Sequence, residues 1–181
     1  MSSATKIFFT GAQGVGKSTQ ADYFARQYPE FSVLKTRRRE FFNSGIININ
    51  QKASPMDEAI IMGDLLLAMA TTPSPFISER SFVDKCAYTQ CLPLKKEILD
   101  AYHVINTEAF PGLAENDFYF YFAPVLPLED DGVRSLDPAY QKEVDFYIQF
   151  YLNYFQIPFI SIEAYTVQDR HMEICKSLGL L

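Results

Sequence analysis

The sequence predicts an α/β fold built on a parallel sheet, and three observations carry that expectation. Short apolar, β-rich runs alternate along the chain with longer stretches of helical periodicity, the pattern of repeated strand–helix–strand units. Gly11-Ala12-Gln13-Gly14-Val15-Gly16-Lys17-Ser18 fits GxxxxGK[ST] and sits between a strand-like run (Ile7-Phe8-Phe9-Thr10) and a helix-like run over 17–28. The 181 residues suit one domain with a full core, read as a single unit over 1–181.

Strands are expected near residues 6–10, 31–36, 76–78, 118–123 and 159–163. The first helix repeats Ala21, Phe24, Ala25 and Tyr28 at helical spacing and stops before Pro29. A long helix opens at Ser54-Pro55-Met56-Asp57, where Ser54 suits the N-cap, Pro55 the first turn and Asp57 the reciprocal cap. Its Ile60, Ile61, Leu65, Leu66, Leu67 and Met69 read mostly as core, as do Met56 and Met62. A further helix opens at Asp137-Pro138 and carries aromatics through Phe155, as core or as a homodimer face. The last runs from Thr166 to before Gly179. Irregular stretches fall at 45–53, 106–117 and 124–137, a size that often marks lids or clamps.

Net charge is −6, which argues against broad electrostatic binding to nucleic acid or an anionic membrane, though a local basic site stays compatible. Cys86, Cys91 and Cys175 are odd in number and lack metal or redox spacing, as free thiols of a reducing, cytoplasmic compartment would. The first six residues have no secretory h-region, and no apolar run reaches membrane-spanning length. His103 and His171 fit no ligand spacing.

Residues 11 to 19, namely Gly11, Ala12, Gln13, Gly14, Val15, Gly16, Lys17, Ser18 and Thr19, form the expected ATP-binding segment. The glycines let successive N–H groups turn inward on a polyphosphate, and the following helix adds its positive end. Lys17 reaches the β- and γ-phosphates, and the Ser18 hydroxyl ligates Mg²⁺. After the third strand come Glu79 and Arg80. A parallel sheet opens its ligand crevice at the C-terminal strand ends, which sets this pair beside the loop. Glu79 suits a metal, its water or a substrate proton, and Arg80 suits a phosphate.

Glu79-Arg80-Ser81 resembles the acid-Arg-Ser/Tyr motif of deoxynucleoside kinases and thymidylate kinases. The run from Phe82 to Gln90 resembles the thymidylate kinase segment D-R-Y-x-x-S-x-x-A-Y-Q, with Ala87 and Tyr88 at matching offsets. Asp84 stands where that family has Ser, and Thr89 where it has Gln, with Gln90 one place later. Those positions help read the thymine base, so the resemblance implies substrate-binding roles for Asp84, Tyr88 and Gln90, and the departures set thymidylate itself in question. Thr36-Arg37-Arg38-Arg39-Glu40 resembles the Thr-Arg-Glu-Pro turn of the same family, which implies Arg37 as a ligand of the acceptor's monophosphate. Phe41 and Phe42 fit a base-stacking wall or core equally. Asp131-Gly132-Val133-Arg134-Ser135-Leu136-Asp137 resembles the lid of thymidylate kinases, ribosylnicotinamide kinases and phage deoxynucleotide kinases, implying a lid near 124–137 with Arg134 closing over the donor. Arg170 on the last helix reads as an exposed helix salt bridge, with an approach to the nucleotide as the alternative.

Taken together the resemblance implies a three-layer P-loop fold with sheet order 2-3-1-4-5. It implies a kinase using ATP and Mg²⁺ on a (deoxy)nucleoside monophosphate, with Lys17, Arg80, Glu79 and Arg134 catalytic. Two alternatives stand beside it. One is a kinase of a hydroxyl acceptor, such as a nucleoside, a ribosylnicotinamide or a modified base in DNA. The other is a regulatory NTPase, for which the chain lacks both an apolar strand ending in Asp and an Asn-Lys-x-Asp run.

Overall fold

The computed structural model describes residues 5–110, 112–114 and 116–181. Most of the opening segment, and parts of the irregular stretch 106–117, therefore lie outside the described residues. Five strands, β1 (Lys6–Thr10), β2 (Ser32–Leu34), β3 (Phe76–Ser78), β4 (Asp117–Phe122) and β5 (Phe159–Ile162), form one all-parallel sheet in the order β2-β3-β1-β4-β5. Among the described residues seven helices flank it: α1 (Lys17–Gln27), α2 (Arg38–Asn43), α3 (Pro55–Thr71), α4 (Phe82–Gln90), α5 (Lys96–Glu108), α6 (Pro138–Tyr154) and α7 (Val167–Ser177). The expected fold class, five strands and sheet order are those observed, although β2 closes at Leu34, short of the 31–36 read from sequence.

The central strands are apolar because both faces are covered. Ile7, Phe8, Phe9, Phe76, Ile77, Phe120 and Phe122 are all at most 1% exposed. Aromatic rings knit neighbouring strands, with Phe8 stacked on Tyr119 at 4.8 Å and edge-on to Phe76 at 5.7 Å. On one side α1 packs on α7, and elsewhere α4 packs on α3, α5 and α6.

Helix starts follow local chemistry. Ser54 and Asp57 form a reciprocal capping box with Pro55 in the first turn of α3, and Ser81 and Asp84 do the same for α4. Asp137 caps α6 and Thr166 caps α7, each worth about 1 kcal/mol. Helices α2 and α5 stand beyond the helices read from the sequence. On α3 the core face is narrower than the sequence suggests: Ile61 and Leu65 are buried, but Leu67 and Met56 are exposed. Helix α6 splits its aromatics, burying Tyr140 and Tyr151 and exposing Phe146, Phe150 and Tyr154.

Candidate active site

Parallel pairing of β1 with β3 sets Phe8 opposite Ser78, so the loop of residues 11–16 and the turn of residues 79–81 leave the sheet at the same end. Between them opens a cleft of about 410 Å³. Its floor is the segment from Gln13 to Thr19, and its walls are Thr36, Arg38, Arg39, Glu79, Arg80, Tyr88 and Tyr165. Residues 126–134 supply the cover, through Leu126, Pro127, Glu129, Asp131, Val133 and Arg134. Gly11 and Ala12 lie beneath this floor, fully buried.

Lys17 is 6% exposed, and its Nζ donates to the carbonyls of Gly11 (2.5 Å) and Ala12 (2.7 Å). The nearest carboxylate oxygen, on Asp84, is 3.8 Å away. Burial first, and then the Arg80 charge, pull its pKa down to about 7, against the opposing pull of Asp84 and Glu79. This is a cation with its charge poorly compensated, beside a loop of inward backbone donors. The Ser18 hydroxyl is exposed in the same cleft.

Arg80 lies over the Tyr88 ring at 5.5 Å, and the Tyr88 hydroxyl donates to Gln13 Oε1 (3.1 Å). Tyr88 thus joins α4, the Arg80 turn and the phosphate loop. Behind Arg38, Arg80 and Tyr88 the cleft continues into a recess of about 10 Å³ that ends on a buried ion pair, Lys85 Nζ to Glu58 Oε2 at 2.7 Å. Sequence reasoning missed this pair. Its one signal was a second acid, Glu58, beside the capping Asp57 in the first turn of a mostly apolar helix.

Several expected substrate residues stand elsewhere. Arg37 gives its backbone N–H and Nε to Asp64 (2.6 and 2.8 Å) and does not line the cleft. It is the residue before α2, so the chain turns there and presents Arg38 inward instead. Burial, with the Arg80 charge, lowers the Arg38 pKa from the usual guanidinium value. Phe41 and Phe42 pack on a small cluster of Ile47, Ile49 and Ile61, and neither ring lines the cleft. Asp84 is fully buried: its Oδ2 accepts from the Ser81 N–H and hydroxyl, and its Oδ1 accepts from the Gly11 N–H (3.2 Å). It braces the phosphate loop from behind, because the cap of α4 demands an acceptor at that position. Gln90 donates to the Leu99 carbonyl (3.1 Å) and ties α4 to α5.

The cover over the cleft is stitched down. Gly14 has a φ of +81°, which favours glycine, and a Cβ there would lie 2.7 Å from the Leu128 Cδ2, so the cover packs directly on the loop. Asp131 Oδ2 accepts from both Arg134 (3.1 Å) and Arg39 (2.8 Å), and Asn50 Nδ2 donates to the Val133 carbonyl (2.9 Å). Although burial opposes it, hydrogen bonds from Arg134, Val133 and Arg39 hold the Asp131 carboxyl well below the usual carboxylate range.

Arg170 departs furthest from expectation: it is 2% exposed and donates to the Val15 carbonyl from Nη1 (2.7 Å). Nothing around it in sequence distinguishes it from a surface arginine. Among the described residues no group of three His, Cys, Asp or Glu side chains makes a metal cage. The residues nevertheless fit Mg²⁺, which favours one or two protein oxygens plus substrate phosphates, here the exposed Ser18 hydroxyl and the Glu79 carboxylate.

The family model described as AAA domain matches residues 6–170, and the chain belongs to that family. No curated protein matches the sequence. Among solved structures, NadR protein in complex with NAD and AMP-PNP superposes with a TM-score of 0.76 at 14% identity, covering 98% of this chain and 49% of that one. The chain thus spans about half the length of that protein. Deoxyadenosine kinase from M. mycoides with bound dATP gives 0.72 at 14% identity, covering 97% of this chain and 100% of the other. Thymidylate kinase from Candida albicans gives 0.69 at 13%, covering 98% and 92%. The fold is that of the P-loop nucleoside and nucleotide kinases.

Proposed function

We propose that this member of the family is a nucleotide kinase, moving the γ-phosphoryl of Mg-ATP to a (deoxy)nucleoside monophosphate. One observation carries the reading. In a chain of net charge −6, the cleft is lined by five cations (Lys17, Arg38, Arg39, Arg80, Arg134) and three carboxylates (Glu79, Glu129, Asp131). Two of the cations, Arg38 and Arg80, also line the recess behind the cleft, which the lysine of the loop does not.

The backbone donors of residues 13–18 and Lys17 hold the donor phosphates. Mg²⁺, held by Ser18 and steadied by Glu79, supplies charge neutralisation when bound. Arg38 and Arg80 clamp the acceptor phosphate in line with the γ-phosphorus. An acceptor phosphate oxygen then bonds to that phosphorus, the bond to the β–γ bridging oxygen breaks, and ADP leaves with the electron pair. A phosphate is already ionised, so no strong base is needed. Arg134, released from Asp131, meets the charge on the transferring group while residues 126–134 exclude water.

A hydroxyl acceptor is the second reading. Its support is Glu79, a carboxylate in the cleft beside the donor lysine and able to take a hydroxyl proton. ADP release with Mg-ATP, measured against deoxy- and ribonucleoside monophosphates, matching nucleosides and DNA, separates the two. Release with one monophosphate, abolished in Arg80→Ala while ATP binding persists, is the expected result. Release indifferent to every acceptor would overturn both readings and leave an NTPase.

A further inference from the structure

Arg170 is a buried arginine with two carbonyl partners from distant parts of the chain. Its Nε donates to the Ala164 carbonyl (2.6 Å), just after β5, and its Nη1 to the Val15 carbonyl (2.7 Å), within the phosphate loop. Its Nη2 has no hydrogen-bond partner among the described residues. The guanidinium sits 5.5 Å over the Phe122 ring. A Cβ on Gly16 would come within 2.7 Å of Nη1 and 3.3 Å of Leu126, so the loop, the cover and Arg170 meet at one point. No carboxylate among the described residues lies within ion-pair distance of it, and the burial of an arginine left in that state is expensive.

Ala164 is followed by Tyr165, which lines the cleft and is 63% exposed. The cleft's other aromatic ring, Tyr88, is committed to Arg80 and Gln13. Tyr165, with Leu126 and Pro127 of the cover, therefore offers the free aromatic and apolar wall on which a donor base can stack.

Building on the ATP-donor reading above, we infer that Arg170 is a positioning residue that couples base recognition to the phosphate grip. Its rigid, planar fork holds the backbone before Tyr165 and the backbone of the phosphate loop in one unit. Base stacking then helps set the loop's inward N–H groups, and a bound polyphosphate offsets the uncompensated charge of Arg170.

Titration calorimetry with Mg²⁺, using ATP and inorganic tripolyphosphate as separate ligands, tests the coupling on wild type, Tyr165→Ala, Arg170→Lys and Arg170→Met. Wild type is expected to bind ATP more tightly than tripolyphosphate. Tyr165→Ala lowers ATP affinity toward the tripolyphosphate level and leaves tripolyphosphate unchanged. Arg170→Met weakens tripolyphosphate about tenfold and abolishes the preference for ATP, the scale of one lost charged hydrogen bond. Arg170→Lys has a single donor head that serves one carbonyl at a time, so it keeps the fold and still loses most of the preference. It decides the matter if Arg170→Met does not fold. A folded Arg170 variant that retains the wild-type ratio of the two affinities overturns the coupling. A wild-type protein that binds neither ligand overturns the donor reading itself.

Discussion

Lys17 and Lys85 are buried to almost the same degree, at 6% and 5% exposure, one in the cleft and the other in the recess on the far side of Arg38, Arg80 and Tyr88. Lys85 has its own carboxylate, Glu58, at 2.7 Å. Lys17 has two backbone carbonyls and only a more distant Asp84. Burial and the nearby Arg80 and Arg38 charges lower the pKa of each, but Glu58 answers the Lys85 charge at contact distance, whereas Lys17 has Asp84 only at 3.8 Å. One lysine is neutralised by the fold and serves as structure. The other is left for an anion to neutralise.

If that contrast is right, removing the two amines has opposite effects on stability. Lys85→Met leaves Glu58 buried and unpaired and is expected to destabilise by about 3–5 kcal/mol, while Glu58→Leu with Lys85→Met recovers most of the loss. Denaturant unfolding of the three proteins checks this, and a stable Lys85→Met would place the pair in solvent. Lys17→Met is expected to cut kcat by about 10²–10³-fold without lowering Tm, since it removes a cation the free fold holds unfavourably.

Titration sharpens the contrast further. With the Lys17 pKa near 7 in the free protein, a polyphosphate that binds the charged form must bring a proton with it at higher pH. ATP affinity should fall between about pH 7 and pH 9, by up to about tenfold per unit, and Lys17→Arg should flatten that slope. The unfolded chain keeps the lysine proton up to its ordinary 10.5, so the same depression makes the free protein gain stability as pH rises above about 7. A flat affinity profile would mean that Lys17 is already charged before ligand arrives.

The smallest effect separates neighbouring arginines. Arg38→Ala is expected to raise acceptor KM about tenfold or more. Arg37→Ala removes a half-exposed guanidinium from a buried carboxylate, leaving Asp64 only the Arg37 backbone N–H, and should cost about 1–3 kcal/mol of stability with KM unchanged. Equal effects on KM would reinstate Arg37 in the cleft.

That last pair shows where sequence reading runs out. Arg37 and Arg38 belong to the same basic run, and a resemblance to a turn in another family selects the first. Which one enters the cleft depends on the start of α2 and on Asp64 of α3, a partner with no local signal. Asp84 and Gln90 misled for a related reason. Their offsets match a base-reading segment, but α4 is almost wholly buried, so its polar side chains are consumed by the cap, the phosphate loop and α5. Arg170 had the opposite fate, because packing of α7 on α1 draws an ordinary-looking helix arginine in behind the loop.

What the sequence determined by itself is whatever rests on short-range chemistry: apolar strands, helix caps at Ser54, Ser81, Asp137 and Thr166, and a glycine-rich loop ending in Lys17 and Ser18. These need only neighbours within a few residues, so a local pattern states them fully. The tertiary structure decided how charge is shared out: Glu58 to Lys85, Asp64 to Arg37, Asp131 to Arg39 and Arg134, and to Lys17 only Asp84, at 3.8 Å. Each of those pairings joins different elements of the fold or depends on burial, and Coulomb energy follows distance and solvent exclusion, which only the folded chain sets.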